Sequence, residues 1–214
     1  MVIIWRITVD KSLYTPEFEA AVQAWAEQRI KPKRLTHVRG VVAMVDHLAR
    51  RYAPDEVMCV RLAGWIHDAA KHLPDEELLR LAEMRHLPIT ESERYVPMLL
   101  HGAIGYALAA EAFGLDDPRL QTACAYHTTG APGMNAADKI VFLGDMIEPT
   151  RDFLGVEAIR AQAERDLDAA VLMAVDYTLR YILDWRRYMD PRAVLLRNEL
   201  LVAGVNYTES SYSS

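Results

Sequence analysis

From Thr15 to Ala203 apolar residues recur at helical spacing, and strand-like alternation is almost absent after residue 10. Side chains three and four apart share one face of a helix, whereas a half-buried strand would alternate. The expected fold class is therefore all-α. Thr15 followed by Pro16 reads as an N-cap and first helical position, with Phe18, Val22, Trp25 and Ile30 forming an apolar stripe. A second helix is expected over 33–52, with Val38, Val41, Val42, Val45 and Leu48 inward. Others are expected over 54–71, 75–85, 97–113, 118–127, 135–148, 156–188 and 191–203, with 88–95 as a Pro-flanked connector. The breaks fall at the clusters GLDDP, TTGAPG and FLG. Residues 2–9, VIIWRITV, read either as a short strand or as an extension on the surface, and the polar end NYTESSYSS reads as disordered. This divides the chain into an extension over 1–15, one domain over 16–203 and a tail over 204–214.

A chain of 214 residues can bury one sizeable core, and 51% hydrophobic with 25% charged residues suits a globular domain. The net charge is −6 with no run of Lys or Arg, so nucleic acid is not an expected partner. A phosphorylated substrate remains open to an acidic protein when a metal and a few cations invert the local field. Cys59 and Cys124 lie in apolar helical patterns and read as two buried free thiols, which fits a reducing cytoplasm. The N-terminal apolar run is too short for a signal peptide, and no window approaches the roughly 20 uncharged apolar residues of a membrane span. A cytoplasmic location is expected.

Within this helical pattern, GWIHDAAKHL (residues 64–73) carries His67 and Asp68 side by side in an apolar segment. Burying both is costly unless something pairs them, and they either satisfy each other or share a metal ion. Of the seven histidines, His47, His72 and His86 have charged or polar neighbours and read as surface side chains. His37, His101 and His127 join His67 in apolar surroundings, as does Asp145 in VFLGDMIEP. Each alone reads as a satisfied core residue, but together they would need many separate buried partners, whereas one metal site satisfies them jointly. Imidazoles and carboxylates suit iron, manganese, zinc or similar divalent ions. Neighbouring helical residues diverge by about 100°, so His67 and Asp68 can flank an ion but need ligands from other helices to complete its shell.

The order His, His-Asp, His, His, Asp resembles that of the HD-domain metal-dependent phosphohydrolases. The finer spelling is RLTHVRGV over 34–41, HDAAK over 67–71, HG at 101, HTTG over 127–130 with Met134, GDMIEP with Arg151, and Pro191 ahead of Arg197-Asn198. It is similar to the YqeK branch of that family, symmetrical diadenosine tetraphosphate hydrolases, over about residues 20–200. The resemblance implies a helical bundle, preceded here by the irregular or strand-like extension. It implies a metal held by His37, His67, Asp68 and Asp145, with His101 and His127 facing phosphates or holding a second ion. Iron is the metal associated with this branch, manganese or another divalent ion being the alternative, and one or two ions are allowed.

The implied reaction is cleavage of diadenosine tetraphosphate to two ADP, with a hydroxide held by the metal attacking an inner phosphorus. Asp68 would orient or deprotonate the water. Lys71 would reach the phosphates or hold the Asp68 carboxylate. His127 would contact a phosphate or protonate the leaving ADP. Gly40, His101, Thr128, Arg151, Pro191 and Arg197 join the substrate-binding set, the Gly130 backbone admitting a phosphate and the two arginines clamping the polyphosphate. Glu148 has no evident chemical role beyond pairing with Arg151. Tyr188, Leu195 and Leu196 either line the base or pack the core. Alternatives are an HD phosphohydrolase for another nucleotide and a catalytically dead nucleotide-binding module. The absence of a GYP motif weakens the cyclic dinucleotide option. A homodimer is allowed, but no clear interface stripe marks one.

Overall fold

The computed structural model describes residues 14–208, and among them every regular element is helical. The expectations for residues 1–13 and 209–214 lie outside the described residues. Eleven α-helices follow in order: α1 (Pro16–Glu27), α2 (Pro32–Tyr52), α3 (Val57–Ile66), α4 (Asp75–Met84), α5 (Glu91–Tyr95), α6 (His101–Phe113), α7 (Pro118–Tyr126), α8 (Ala136–Ile147), α9 (Val156–Ala163), α10 (Leu167–Asp184) and α11 (Pro191–Val202). None is long and apolar enough to cross a membrane.

Local chemistry sets the helix starts. The Thr15 hydroxyl accepts from the Phe18 N–H at 3.2 Å, with Pro16 next. Asn135 and Asp138 form a reciprocal capping box at α8. Helix α2 packs along α3 and α8, α7 lies against α6, α8 and α3, and α10 runs across α8 with α9 and α11 beside it. Val38, Val41, Val45, Leu62, Ile66, Ile140, Leu143 and Leu172 are sealed in this core, with free Cys59 and Cys124 also buried. A smaller cluster of Leu78, Leu81, Leu100 and Ile104 seats α4 on α6.

Four expectations need correction. The connector over 88–95 contains α5, because Thr90 and Glu93 make a capping box, each taking the other's backbone N–H. The single helix over 156–188 is two, because Asp166 turns to an extended backbone and caps Ala169 N–H at 2.9 Å; α10 then stops at Asp184, ahead of Arg186 at φ 50°. The helix over 54–71 is a 3₁₀ turn at Pro54–Glu56, then α3, and after Ile66 a run of turns. Ala69 N–H bonds Ile66 O and Lys71 N–H bonds Asp68 O, each reaching back three residues instead of four, so His67 and Asp68 sit at the helix end. The tail begins later than residue 204, since Val205 N–H bonds Leu200 O at 3.0 Å and the Tyr207 hydroxyl donates to Asp176 at 2.7 Å.

Candidate metal centre

Three helix ends and two helix flanks bring the polar residues together. His37 lies on the second turn of α2, His67 closes α3, His101 opens α6, His127 closes α7 and Asp145 projects from α8. His67, Asp68, His101 and His127 are all nearly or fully buried. Each imidazole is held from behind at Nδ1. His67 meets Gly64 O at 2.8 Å, His101 meets Met98 O at 2.5 Å, His127 meets Cys124 O at 2.6 Å and His37 meets Glu148 Oε1 at 3.0 Å. Carbonyls and a carboxylate only accept, so these partners place a proton on Nδ1 and turn each Nε2 toward the centre.

The lone pairs converge. His37 Nε2 lies 3.0 Å from Asp145 Oδ1, and His67 Nε2 lies 3.4 Å from Asp68 Oδ2 and 3.9 Å from Asp145 Oδ1. His101 Nε2 is 2.9 Å from His127 Nε2 and 3.2 Å from Asp68 Oδ1. Two sets of donor atoms lie within 4.8 Å of one another: His37, His67, Asp145 and His67, Asp68, His127. The decisive test is satisfaction. His67 Nε2 and Asp68 Oδ1 are buried with no hydrogen-bond partner, although an orphan of this kind is costly. Lone pairs on His101 and His127 facing each other at 2.9 Å also need a positive charge between or beside them. The residues fit a divalent ion, with buried nitrogen and carboxylate donors and each ring oriented from behind.

The charges are arranged to match. Burial works against ionised Asp68, but His67, His101 and Lys71 outweigh it and hold the carboxyl well below its usual range. Burial likewise opposes Asp145, and the His37 contact with His67, His127 and Arg151 keeps it ionised. Burial opposes a charge on His67 too, but Asp68 and Asp145 lift it. His127 is pushed well below its usual range by burial and then by His101 and His67. With its proton at Nδ1, His127 presents Nε2 to the centre and to the Thr128 hydroxyl.

Other expected residues take different positions. Lys71 Nζ lies 3.6 Å from Asp68 Oδ1 and 3.1 Å from His101 Nε2, at the cluster's edge. Arg151 holds Asp145 through its side chain at 2.8 Å and its carbonyl at 2.8 Å, and lines a cavity of about 230 Å³ with His127, Thr128, Asp145 and the Phe153 and Tyr177 rings, which are tilted against each other at 4.4 Å. The cavity's described lining does not include Arg197, which is paired with Asp176. Pro191 is the exposed first residue of α11, behind the Asp190 cap. Gly40 faces the Glu148 carboxylate, which a Cβ would collide with, so its missing side chain makes room for the support of His37. Gly130, at φ 65°, is buried against Leu196, so its backbone is closed to a phosphate. Leu196 is core, Leu195 is 53% exposed, and Tyr188 lines a separate cavity.

Two residues hold places at the centre that the sequence reading did not assign them. Glu148, fully buried, binds His37 and the Thr150 N–H and hydroxyl, while Arg151 stands 3.9 Å off. Arg34 reaches over the centre, donating to Asp68 Oδ2 and standing 3.2 Å from His37 Nε2. Its place three residues before His37, one helical turn away, and at the head of the RLTHVRGV spelling is the sequence signal for it.

A helical bundle that turns four imidazoles and two carboxylates onto one centre, two of whose buried atoms lack a partner, has the donor set that a metal-binding bundle requires. The chain belongs to the HD domain family, a family of metal-dependent phosphohydrolases, whose profile matches residues 34–181. It is 30% identical over 178 residues to the symmetrical bis(5'-nucleosyl)-tetraphosphatase of Bacillus subtilis, covering 83% of this chain and 95% of that one. It is 34% identical over 181 residues to the same-named protein of Halalkalibacterium halodurans, covering 83% and 96%. Its fold is similar to the crystal structure of a predicted HD superfamily hydrolase involved in NAD metabolism from Clostridium acetobutylicum, at TM-score 0.81 and 31% identity, covering 86% of this chain and 97% of the other.

Proposed function

We propose that this protein is a metal-dependent hydrolase that cuts diadenosine tetraphosphate symmetrically into two ADP. The observation that carries the reading is the pair of donor triads sharing His67 beside a cavity that Arg151 enters. The names of the relatives supply the substrate class. His37, His67, Asp68 and Asp145 would hold the ion, with His127 and His101 offering the donors for a second. Iron is the metal of this proposal and manganese its substitute.

When bound, a divalent ion lowers the pKa of its water and neutralises phosphate oxygens. The chain's own residues do the rest. Asp68 Oδ1, buried and without a hydrogen-bond partner, is the acceptor available to orient a water and take its proton. Lys71 and Arg151 would bring cationic charge to the inner phosphates, one beside Asp68 and one beside Asp145. Attack on an inner phosphorus breaks its bond to the central bridging oxygen, and the water oxygen remains on one of the two ADP products. Thr128, with its hydroxyl 3.0 Å from His127 Nε2, lies where a phosphate oxygen would accept from it. The reading goes with a cytoplasmic enzyme whose partner is its dinucleotide substrate.

The test is a product analysis with purified protein, iron or manganese, and diadenosine tetraphosphate. ADP as the sole nucleotide product is expected, and Asp68→Ala should abolish it while the far-ultraviolet circular dichroism stays helical. ATP plus AMP would refute symmetric cleavage. No turnover combined with tight ADP binding would instead make the protein a nucleotide-binding regulator.

A further inference from the structure

A second cavity, of about 450 Å³, opens beside the first and takes no part in the chemistry above. The two share Thr128, Thr178 and Tyr181 as a common wall. Its own walls are mainly apolar, from Val96, Leu99, Ile182 and Ala193, and its rim carries Tyr95 and Tyr188 with ring centroids 4.7 Å apart. Tyr95 is 72% exposed and Tyr188 38%, so neither ring is spent on the core. Arg187 is the one cation among the described lining residues, and its guanidinium lies over the Tyr181 ring at 5.3 Å.

These features describe a seat for a flat, weakly polar group attached to an anion. Aromatic faces stack bases regardless of sequence, and a nearby arginine answers the attached phosphate. The position narrows the ligand further. Thr128 belongs to both cavities and touches His127, so the wall between them abuts the donor cluster. Two cavities meeting at a metal centre form a two-armed site. A molecule with two nucleosides and its reacting bond at the midpoint needs that arrangement, whereas a mononucleotide needs one arm.

We propose that the cavity under Tyr95 and Tyr188 is a second nucleoside subsite, which takes one adenosine of the dinucleotide while the cavity of Phe153 and Tyr177 takes the other. This rests on the hydrolase reading above, and it explains the symmetry of cleavage. With one nucleoside in each arm, the central phosphates are drawn across the donor cluster, and each ADP product is left in its own arm.

The experiment is calorimetric titration of ADP into the manganese-loaded protein, with steady-state kinetics on diadenosine tetraphosphate. Wild type should bind two ADP per chain. Tyr188→Ala and Tyr95→Ala, both exposed and so compatible with folding, should each bind one tightly and raise KM about tenfold or more, the weight of a lost base stack. A stoichiometry of one in wild type, or unchanged stoichiometry and KM in both variants, would overturn the subsite. A change of oligomeric state in the variants by light scattering, with unaltered ADP binding, would assign the tyrosine rim to a chain–chain contact and also overturn it. Wild type that cleaves to ADP but binds one ADP refutes only the subsite; wild type that does not cleave refutes the hydrolase reading itself.

Discussion

His37 has a single lone pair to offer, at Nε2, because its Nδ1 proton is committed to Glu148. Arg34 stands 3.2 Å from that lone pair and also holds Asp68, so an ion bound by these two residues has to displace the guanidinium. Hydrogen bonds from a charged group contribute about 1.5–3 kcal/mol each, so removing the competitor should be visible as affinity. Arg34→Ala is expected to bind manganese about tenfold more tightly in the absence of nucleotide, by calorimetry. Weaker binding would mean that Arg34 helps to assemble the centre. Glu148→Gln should move the other way, loosening the ion about 10- to 100-fold as the ring loses its anionic support. The ligands themselves were legible because a histidine or aspartate inside an apolar helix is conspicuous. Arg34 and Glu148 were not, because an arginine in a first turn and a glutamate at a helix end look like ordinary surface residues. Only the fold shows that α2 and α8 cross closely enough for Glu148 to face Gly40.

At the scale of elements, most helices could be read from their apolar period, but their ends followed rules of capping that the period does not contain. The T-x-x-E spelling at Thr90–Glu93 and the Asp166 cap were present in the sequence, yet each was overridden in the reading by the longer pattern around it. Asp117 shows what a cap can carry. Its carboxylate accepts from the Arg119 N–H at 3.0 Å, from the Tyr14 hydroxyl at 2.6 Å and from the Arg119 guanidinium at 2.7 Å, tying α1 to the start of α7. Burial opposes its ionisation, but Arg119 and Tyr14 outweigh it and lower its pKa. A carboxyl with a lowered folded pKa stabilises the fold above its unfolded pKa of about 3.9, and that contribution is lost as pH falls through the folded value. Asp117→Asn keeps a capping side chain but removes the charge, so it should lower the urea midpoint at pH 7. The gap from wild type should close progressively below about pH 4. A gap that stays constant down to pH 2 would show that the charge is not the source.

For the whole molecule, the donor cluster matters as a fastener as well as a catalyst. Its ligands come from α2, the end of α3, the ends of α6 and α7, and α8, which are the helices that pack the main core around it. Asp68, the largely buried Asp145 and the unsatisfied His67 imidazole oppose folding unless an ion pairs them. An ion that binds the folded chain and not the unfolded one adds RT ln(1 + [L]/Kd), about 4 kcal/mol at a thousandfold excess over Kd. For a chain of this length, each kcal/mol moves the melting temperature by roughly 2–4 °C. Stripping the ion with a chelator should therefore lower Tm by about 8–16 °C relative to protein in excess manganese, read by differential scanning fluorimetry. The difference should shrink in Asp145→Ala, because that substitution removes a donor from the His37 and His67 set. Since Arg151 and His37 lose their shared partner in that variant, its chelated form provides the baseline against which the loss is measured. An identical Tm with and without manganese in wild type would leave the buried His67 and Asp68 atoms without their expected partner, and the metal assignment would fail.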